Sequence, residues 1–280
     1  MLIALFPNLR KKPSKHLAIE VREFLQSQGV TVVSEDEEAK EIGAQPLSGV
    51  PLRDIKFMIS MGGDGSILRL VHKYPDWDCP ILGINLGHLG FMADVPVADL
   101  YESLRDLTAG LYNVDERLMI QAETAKGDTI FAVNDIVVHR GRNPSLIELA
   151  IHINDVYVNT FVADGLIIST PNGSTAYSLA AGGPIISPTL DAIVITPICP
   201  HTISNRPLVL NTDQEIKIEY LSDYDPVEIR ADGLESYDLR TAETFSIRKF
   251  SRHFKLISLH RRDYFSTLRT KLGWSGKVRF

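Results

Sequence analysis

The sequence predicts an α/β domain with a mostly parallel sheet, then an all-β, sandwich-like domain, and a C-terminal tail that packs back on the first domain. Three observations predict this. Short apolar runs alternate with helical-period segments through the first 110 residues. From residue 118 to about 259 the chain changes to short strands parted by turn residues. One further helical-period segment, 263–274, follows them. The boundaries read from these changes are 1–110, 111–259 and 260–280.

Residues 2–6 read as a buried strand. Ser14 opens a helix in which Leu17, Val21, Phe24 and Leu25 fall at helical spacing, and Gly29 ends it. Residues 30–33 give the second strand, and the acidic stretch 35–41 reads as a solvated helix face. Residues 55–60 are the third strand, leading into a glycine turn after which Ile67, Leu68 and Val71 continue as a helix. An apolar strand at 80–84 precedes a helix at 96–108 with Val97, Leu100, Leu104 and Leu107 on one face and Gly110 past its end. Strands alternating with helices imply a parallel sheet covered on both sides. Beyond it, 118–123 and 129–133 flank a Lys-Gly-Asp turn. Ile147, Leu149, Ile151 and Ile153 alternate, and Asn154-Asp155 turns the chain back into 156–161. Residues 193–198, 208–210, 216–220, 227–229 and 245–248 repeat the pattern, that of antiparallel strands. A helix at 174–181, framed by glycines, interrupts them. In the tail, Phe265, Leu268 and Leu272 fall at helical spacing.

At 280 residues the chain can bury one core or two. Its 44% hydrophobic and 23% charged residues are those of a soluble globular chain. A net charge of −6 argues against a dedicated nucleic-acid binder, which needs a basic face. No run approaches the ~18 apolar residues of a membrane span. The apolar start, 1–7, is too short for a signal segment, and Arg10, Lys11 and Lys12 follow it instead of preceding it. The expected compartment is the cytoplasm. Cys79 and Cys199 lack metal-ligand spacing and read as buried free thiols.

Three motifs carry chemistry. In the first, an apolar run ends in Gly62-Gly63-Asp64-Gly65-Ser66. Glycine admits positive φ and lets a ligand approach the backbone. Strand, turn and helix start together form a geometry that binds phosphate through N–H groups. A carboxylate repels phosphate, so Asp64 suits a base for a hydroxyl or a Mg²⁺ ligand beside the phosphates; an ordinary Asp-Gly turn is the plain alternative. The second is Asn134-Asp135, two polar side chains inside a strand-like segment, costly to bury unless they bind something. An Asn amide offers the donor and acceptor that an adenine edge requires, and an Asp can accept from a ribose hydroxyl; an Asx turn is the alternative. The third runs from Asp164 to Pro184, where a strand meets Pro171-Asn172-Gly173 and then Ser174 and Thr175 at a helix start. Hydroxyls, a helix N-terminus and the Tyr177 ring suit a nucleotide or dinucleotide, against plain Ser/Thr capping. His88 and His201 read as structural histidines. A P-loop, a Rossmann fingerprint, a zincin motif and a nucleophile elbow are all absent from the sequence.

Gly62-Gly63-Asp64-Gly65, Asn134-Asp135, and Asp164 with Gly173-Ser174-Thr175-Ala176-Tyr177, in that order, resemble the NAD kinases. Residues 83–91, and 197–201 with Arg206-Pro207-Leu208, look like further blocks of that family; the likeness covers roughly 55–235. The Gly-Gly-Asp-Gly turn is shared with 6-phosphofructokinases and diacylglycerol-type lipid kinases, whereas the block around Ser169–Ser178 is specific to NAD kinases. Another kinase with the same turn and a non-catalytic NAD-binding regulator are the competing readings.

The resemblance implies transfer of the terminal phosphate of ATP to the 2′-hydroxyl of the adenosine ribose of NAD, at a site between an α/β and a β-rich domain. It implies a divalent metal, Mg²⁺ by preference, whose protein ligands stay unknown. It also implies a homodimer or homotetramer; some bacterial members use inorganic polyphosphate as well. By position, Asp64 would be the general base, Gly65 would lie against the dinucleotide, and Gly62 and Gly63 would hold donor phosphates. Phe91 would stack near the adenine, and Asn134 and Asp135 would bind the adenosine half. Asp164, Asn172, Ser174, Thr175, Ala176, Tyr177 and Ser178 would complete the dinucleotide site. Leu234, Ser145 and Val162 depart from relatives that carry longer polar side chains there.

Overall fold

A computed structural model of the chain describes residues 1–10, 14–87, 89–202, 205–261 and 263–274. The chain forms two compact units, Met1–Asp115 with Lys255–Phe280, and Glu116–Phe254.

In the first unit β1 (Leu2–Pro7), β2 (Thr31–Ser34), β3 (Gln45–Pro46), β4 (Phe57–Gly62), β5 (Ile81–Asn85) and β6 (Val95–Pro96) pair in parallel, in the order β3-β2-β1-β4-β5-β6. Helices α1 (Ser14–Ser27), α2 (Asp36–Ile42), α3 (Asp64–Lys73) and α4 (Leu100–Ala109) connect them. Alternate strand residues Ile3, Leu5, Ile59, Met61, Leu82 and Ile84 join Val21 and Leu25 of α1 and Leu100, Leu104 and Leu107 of α4 in one core. Every residue of β4 and β5 is buried, so their other face is covered too, as the unbroken apolar runs predict. The order runs from β1 to β2 on one side and from β1 to β4 on the other. That reversal opens a crevice at the C-terminal ends of β1 and β4, where the glycine turn lies.

The acidic segment is less solvated than its composition suggests. Glu35 and Glu38 are only half-exposed, because α2 buries Ala39 and Ile42 beside them. The helix expected at 96–108 begins later, at Leu100, after a 3₁₀ turn. The tail does form a helix, α6 (Tyr264–Leu272), with Asp263 as N-cap accepting the Ser266 N–H at 2.9 Å. It packs on the loop after β5: Lys271 Nζ lies 5.0 Å from the Phe91 ring centre and donates to the Leu89 carbonyl at 2.7 Å. Tyr264 sits 6.1 Å from the same ring. Of the three apolar tail positions Leu268 is buried, while Phe265 faces solvent.

In the second unit β7 (Tyr112–Thr124) pairs with β8 (Thr129–Ala132) and with β18 (Thr244–Leu259). β18 continues through β15 (Ile216–Tyr220) and β10 (Ile147–Ile153) to β11 (Val156–Ala163), all antiparallel. A second antiparallel sheet has β14 (Leu208–Asn211), β13 (Ala192–Ile198), β12 (Gly165–Ser169), β9 (Asp135–His139), β16 (Val227–Ala231) and β17 (Glu235–Leu239), in that order. Inward residues of both sheets, among them Leu149, Ile151, Ile218 and Phe245 against Ile136, Val138, Leu166 and Ile168, make one sandwich core. Asn154-Asp155 and Asp232-Gly233 turn with positive φ at both central residues, the geometry that matches strand twist in tight hairpins.

The helix expected at 174–181 does not form as one piece. A 3₁₀ turn, Gly173–Thr175, is followed after Ala176 by α5 (Tyr177–Ala180), a single helical turn. Ala176, at φ −100° and ψ −125°, breaks the helical path, and neither piece has a side-chain cap. The helix-terminus part of the nucleotide argument therefore does not apply here. Both cysteines are free, but Cys199 is exposed, at positive φ next to Pro200; only Cys79 is buried.

Candidate active site

In the first unit the glycine turn is built around Asp64, the first residue of α3. Its Oδ2 accepts the Phe91 N–H at 2.8 Å, and its Oδ1 accepts those of Met92 at 3.1 Å and Ala93 at 2.8 Å. One half-buried carboxylate thus gathers three backbone donors and fixes the loop that carries Phe91. None of Gly62, Gly63 and Gly65 takes positive φ; Gly63 is extended at φ −166°. Sterics, not conformational freedom, decide these positions. A Cβ on Gly62 would come within 2.1 Å of Ser66 Oγ, and one on Gly90 within 2.0 Å of Asp64 Oδ1. A Cβ on Gly63 would meet nothing within 4 Å, and one on Gly65 only the mobile end of Arg69 at 3.8 Å. The protein requires glycine at 62 and 90. At 63 and 65 it leaves bare backbone facing outward, as the approach of a ligand requires.

In the second unit the third motif folds against the second. Asn134 lies between β8 and β9, and Asp135 opens β9. The Asn172 amide donates to Asn134 Oδ1 at 2.7 Å, Thr170 Oγ1 donates to the Val133 carbonyl at 2.6 Å, and the Thr170 N–H reaches the Asn134 carbonyl at 2.8 Å. A Cβ on Gly173 would stand 2.1 Å from that same carbonyl oxygen. The Asn-Asp pair is not an Asx turn. Its backbone is held by Asp232, whose carboxylate accepts the N–H groups of Val133 at 2.8 Å, Asn134 at 2.7 Å and Asp135 at 3.2 Å. Burial, and then the Asp232 charge, push the Asp135 carboxyl up to about 7. Asp232 is the residue that sequence reasoning missed. Its signal, an Asp-Gly pair before a strand, was visible but is also that of any hairpin turn.

The hydroxyls of the third motif divide in two. Ser174 donates to the Pro171 carbonyl at 2.7 Å and accepts the Ile186 N–H at 3.0 Å, and Ser178 pairs with Thr196 Oγ1 at 2.9 Å. Both are fully buried, so in this conformation they brace the segment. Thr175 and Ala176 are half-exposed, and the Tyr177 ring is 44% exposed. Asp164 is paired with Arg140 Nε at 2.7 Å. A groove of about 640 Å³ is lined by Asn134, Asp135, Ala176, Tyr177, Asp232 and Gly233, with His139 and Arg142 at the end of β9. Asn172, Thr175 and Asp164 do not line it, though Asn172 is tied to it through Asn134 Oδ1. Phe91, Asp64 and Gly65 belong to the first unit. His88 lies outside the described residues, and His201 is exposed.

Comparison with known proteins bears directly on this arrangement. The model of the ATP-NAD kinase N-terminal domain matches residues 3–112, and that of the ATP-NAD kinase C-terminal domain matches residues 133–259. The chain belongs to the NAD kinase family. It is 53% identical over 278 residues to the NAD kinase of Protochlamydia amoebophila (strain UWE25), covering 99% of this chain and 100% of that one. It is 39% identical to the NAD kinase of Nitrosomonas eutropha, over 92% of this chain and 89% of the relative. Among solved structures it superposes on yeast NADH kinase complexed with NADH with a TM-score of 0.88 and 27% identity, covering 100% of this chain and 89% of that one. The NAD kinase of Archaeoglobus fulgidus in complex with ATP shares the fold, with a TM-score of 0.79 and 24% identity, covering 99% of this chain and 100% of that one. The chain is thus a phosphotransferase of the NAD kinase family, with that family's two-part fold. No helix among the described residues is long and apolar enough to cross a membrane.

Proposed function

We propose that the chain transfers the terminal phosphate of ATP to the 2′-hydroxyl of the adenosine ribose of NAD, with Asp64 as the general base. The observation that supports it best is the bonding of Asp64. Oδ1 accepts two N–H groups, but Oδ2 accepts one, so a lone pair on Oδ2 remains for a hydroxyl. A sugar hydroxyl needs its proton accepted as the O–P bond forms, and a positioned carboxylate does this. Gly62 shapes the turn, and the bare backbone of Gly63 and Gly65 lies against the phosphates and the dinucleotide. The groove of the second unit takes the dinucleotide: Asn134 and Asp135 hold the adenosine half, and Tyr177 and Ala176 offer a flat apolar wall. Asn172, Thr175, Ser174 and Ser178 keep that wall in place. Phe91 stacks near the adenine, and Asp164 acts from its ion pair with Arg140.

Among the described residues no group of three His, Cys, Asp or Glu side chains could hold a metal ion. A Mg²⁺ carried on the donor phosphates fits that donor set, since Mg²⁺ is commonly held by one or two carboxylates plus substrate phosphates. When bound it would offset the charge of the donor chain. The two-unit division supports assigning 1–110 with the tail to the turn and 111–259 to the dinucleotide. A homodimer or homotetramer in the cytoplasm is the expected setting.

The test is NADP formation from NAD and Mg-ATP, run beside Asp64→Asn. Turnover by the wild type and a loss of ~10²–10⁴ in the variant, with NAD binding kept, are expected for removal of an acid–base group. A variant that turns over at the wild-type rate defeats the assignment of Asp64.

A further inference from the structure

The tail helix α6 enters no step of the proposed reaction, yet it holds the loop that holds Asp64. Both lie in the first unit. The spacing of the tail suggests an apolar face of Phe265, Leu268 and Leu272, but the helix packs through a different stripe. Tyr264, Leu268 and Lys271 recur after four and then three residues, so they share one face. Leu268 is buried and anchors the helix. The Tyr264 ring lies 6.1 Å from the Phe91 ring, and Lys271 Nζ lies 5.0 Å from its centre. A lysine in a last helical turn ordinarily serves the final carbonyls and the helix dipole. Lys271 instead spends its charge on the Phe91 ring and donates to the Leu89 carbonyl at 2.7 Å.

The loop from Leu89 to Ala93 is thus anchored at both ends. Lys271 holds its start, and Asp64 accepts the N–H groups of Phe91, Met92 and Ala93 at its end. The Gly90 N–H donates to the Ala93 carbonyl at 3.0 Å and closes the loop into a tight turn, and Asn85 Nδ2 reaches that carbonyl at 3.3 Å. There is little slack. A Cβ on Gly90 would stand 2.0 Å from Asp64 Oδ1, and one on Gly83 2.6 Å from Ala93 Cα. A loop packed this closely transmits a displacement instead of absorbing it. The three hydrogen bonds that orient the Asp64 carboxylate all come from this loop, so the grip of Lys271 reaches Asp64 through the backbone of 89–93.

Resting on the assignment of Asp64 as the base, we propose that Lys271 is a positioning residue for phosphoryl transfer. By pinning Leu89 and Phe91 it fixes the three N–H groups that orient the carboxylate, and so sets Oδ2 where it takes the proton of the acceptor hydroxyl. Such a transfer depends on placement, and an error of about 1 Å is enough to cost ~10² in rate.

The test is a double-mutant cycle of Lys271→Met and Asp64→Asn, with Lys271→Arg alongside, read as kcat and KM for NADP formation from NAD and Mg-ATP. Lys271 is exposed, so Lys271→Met removes charge and donor without opening the core. It should lower kcat ~10-fold and leave the KM for Mg-ATP as it was, the pattern of an interaction that counts only in the transition state. Lys271→Arg returns a cation and donors to the ring and should recover most of that loss. In the Asp64→Asn background Lys271→Met should cost less than about twofold, because the group it positions is gone. Amide exchange at Phe91, Met92 and Ala93 should quicken in Lys271→Met while that of β1 stays as it was. A wild-type kcat in Lys271→Met, a loss that Lys271→Arg does not recover, or unchanged exchange at 91–93 overturns the proposal. So does the same loss in both backgrounds, which would make Lys271 a support of the fold at large. Wild-type turnover in Asp64→Asn overturns the underlying reading instead.

Discussion

Two glycines, Gly63 and Gly90, show how single residues divide between fold and function. Gly90→Ala would drive a methyl into Asp64 Oδ1, so the carboxylate or the 91–93 loop must move. The expected cost is about 1–3 kcal/mol of stability, with most of the activity lost. Gly63→Ala meets no protein atom and keeps extended backbone, so its unfolding midpoint should stay within about 0.5 kcal/mol of wild type while the KM for ATP rises. Denaturant unfolding beside steady-state kinetics separates the two; a stability loss in Gly63→Ala equal to that of Gly90→Ala would sink the distinction. Asp135 makes a pH prediction. Its carboxyl is raised to about 7 in the fold from an ordinary 3.8, so between these values the folded state holds a proton the unfolded chain has lost. Stability from this group is therefore full below about pH 4 and declines as pH rises to 7. Asp135→Asn should remove that slope and stabilise the protein at pH 8 relative to wild type, read from unfolding curves at pH 5 and pH 8. The sequence showed Asp64 as a carboxylate in a glycine turn after an apolar run, and Asn134 and Asp135 as polar side chains inside a strand-like segment. It could not show Asp232, whose role depends on a hairpin turn arriving from about a hundred residues away.

At the scale of elements, periodicity served well where an element buries one continuous face. The β1, β4 and β5 runs and the α1 stripe are where their apolar spacing put them, as are Leu100, Leu104 and Leu107 of α4, while Val97, expected on the same face, lies exposed in the 3₁₀ turn before the helix. It failed where tertiary hydrogen bonds override local preference. Residues 174–181 have good helical composition, yet Ser174 is drawn to the Pro171 and Ile186 backbone and Ala176 leaves the helical path. The tail helix α6 offers a test at this scale. Asp263 caps it, and Lys271 at its other end grips the loop of Phe91. Asp263→Ala should cost about 1 kcal/mol locally, the usual worth of such a cap. Amide hydrogen exchange at 265–268 should then quicken roughly fivefold while exchange in β4 and β5 stays as it was. Unchanged exchange in the first turn of α6 would show that the packing of Leu268, and not the cap, holds the helix.

The two large cores among the described residues share no residue. One is built from β1, β2, β4, β5, α1 and α4 with Ile257 and Leu259, the other from the two sheets of the sandwich. The change of period in the sequence lies near residue 110, and the sequence reading returns the chain to the first domain at residue 260; in the structure the second boundary falls earlier, after Phe254, inside the long strand β18, where no turn residue or change of period marks it. Two separate cores predict two separable responses. Ile59→Ala and Ile218→Ala each remove a fully buried side chain and should each cost about 2–5 kcal/mol. Calorimetry should show the first lowering a transition that the second leaves in place, and the reverse; a single transition shifted equally by both would mean the units unfold as one. The overall charge of −6 gives the molecule no general attraction for anionic substrates, so charge must be neutralised locally. Since no three-ligand metal cluster occurs among the described residues, the cation is expected to arrive with the donor. Chelation with EDTA should then stop NADP formation while the unfolding midpoint of the nucleotide-free protein stays where it was. A midpoint lowered by EDTA alone would place a structural metal in the protein itself, and the donor-borne cation would have to be abandoned.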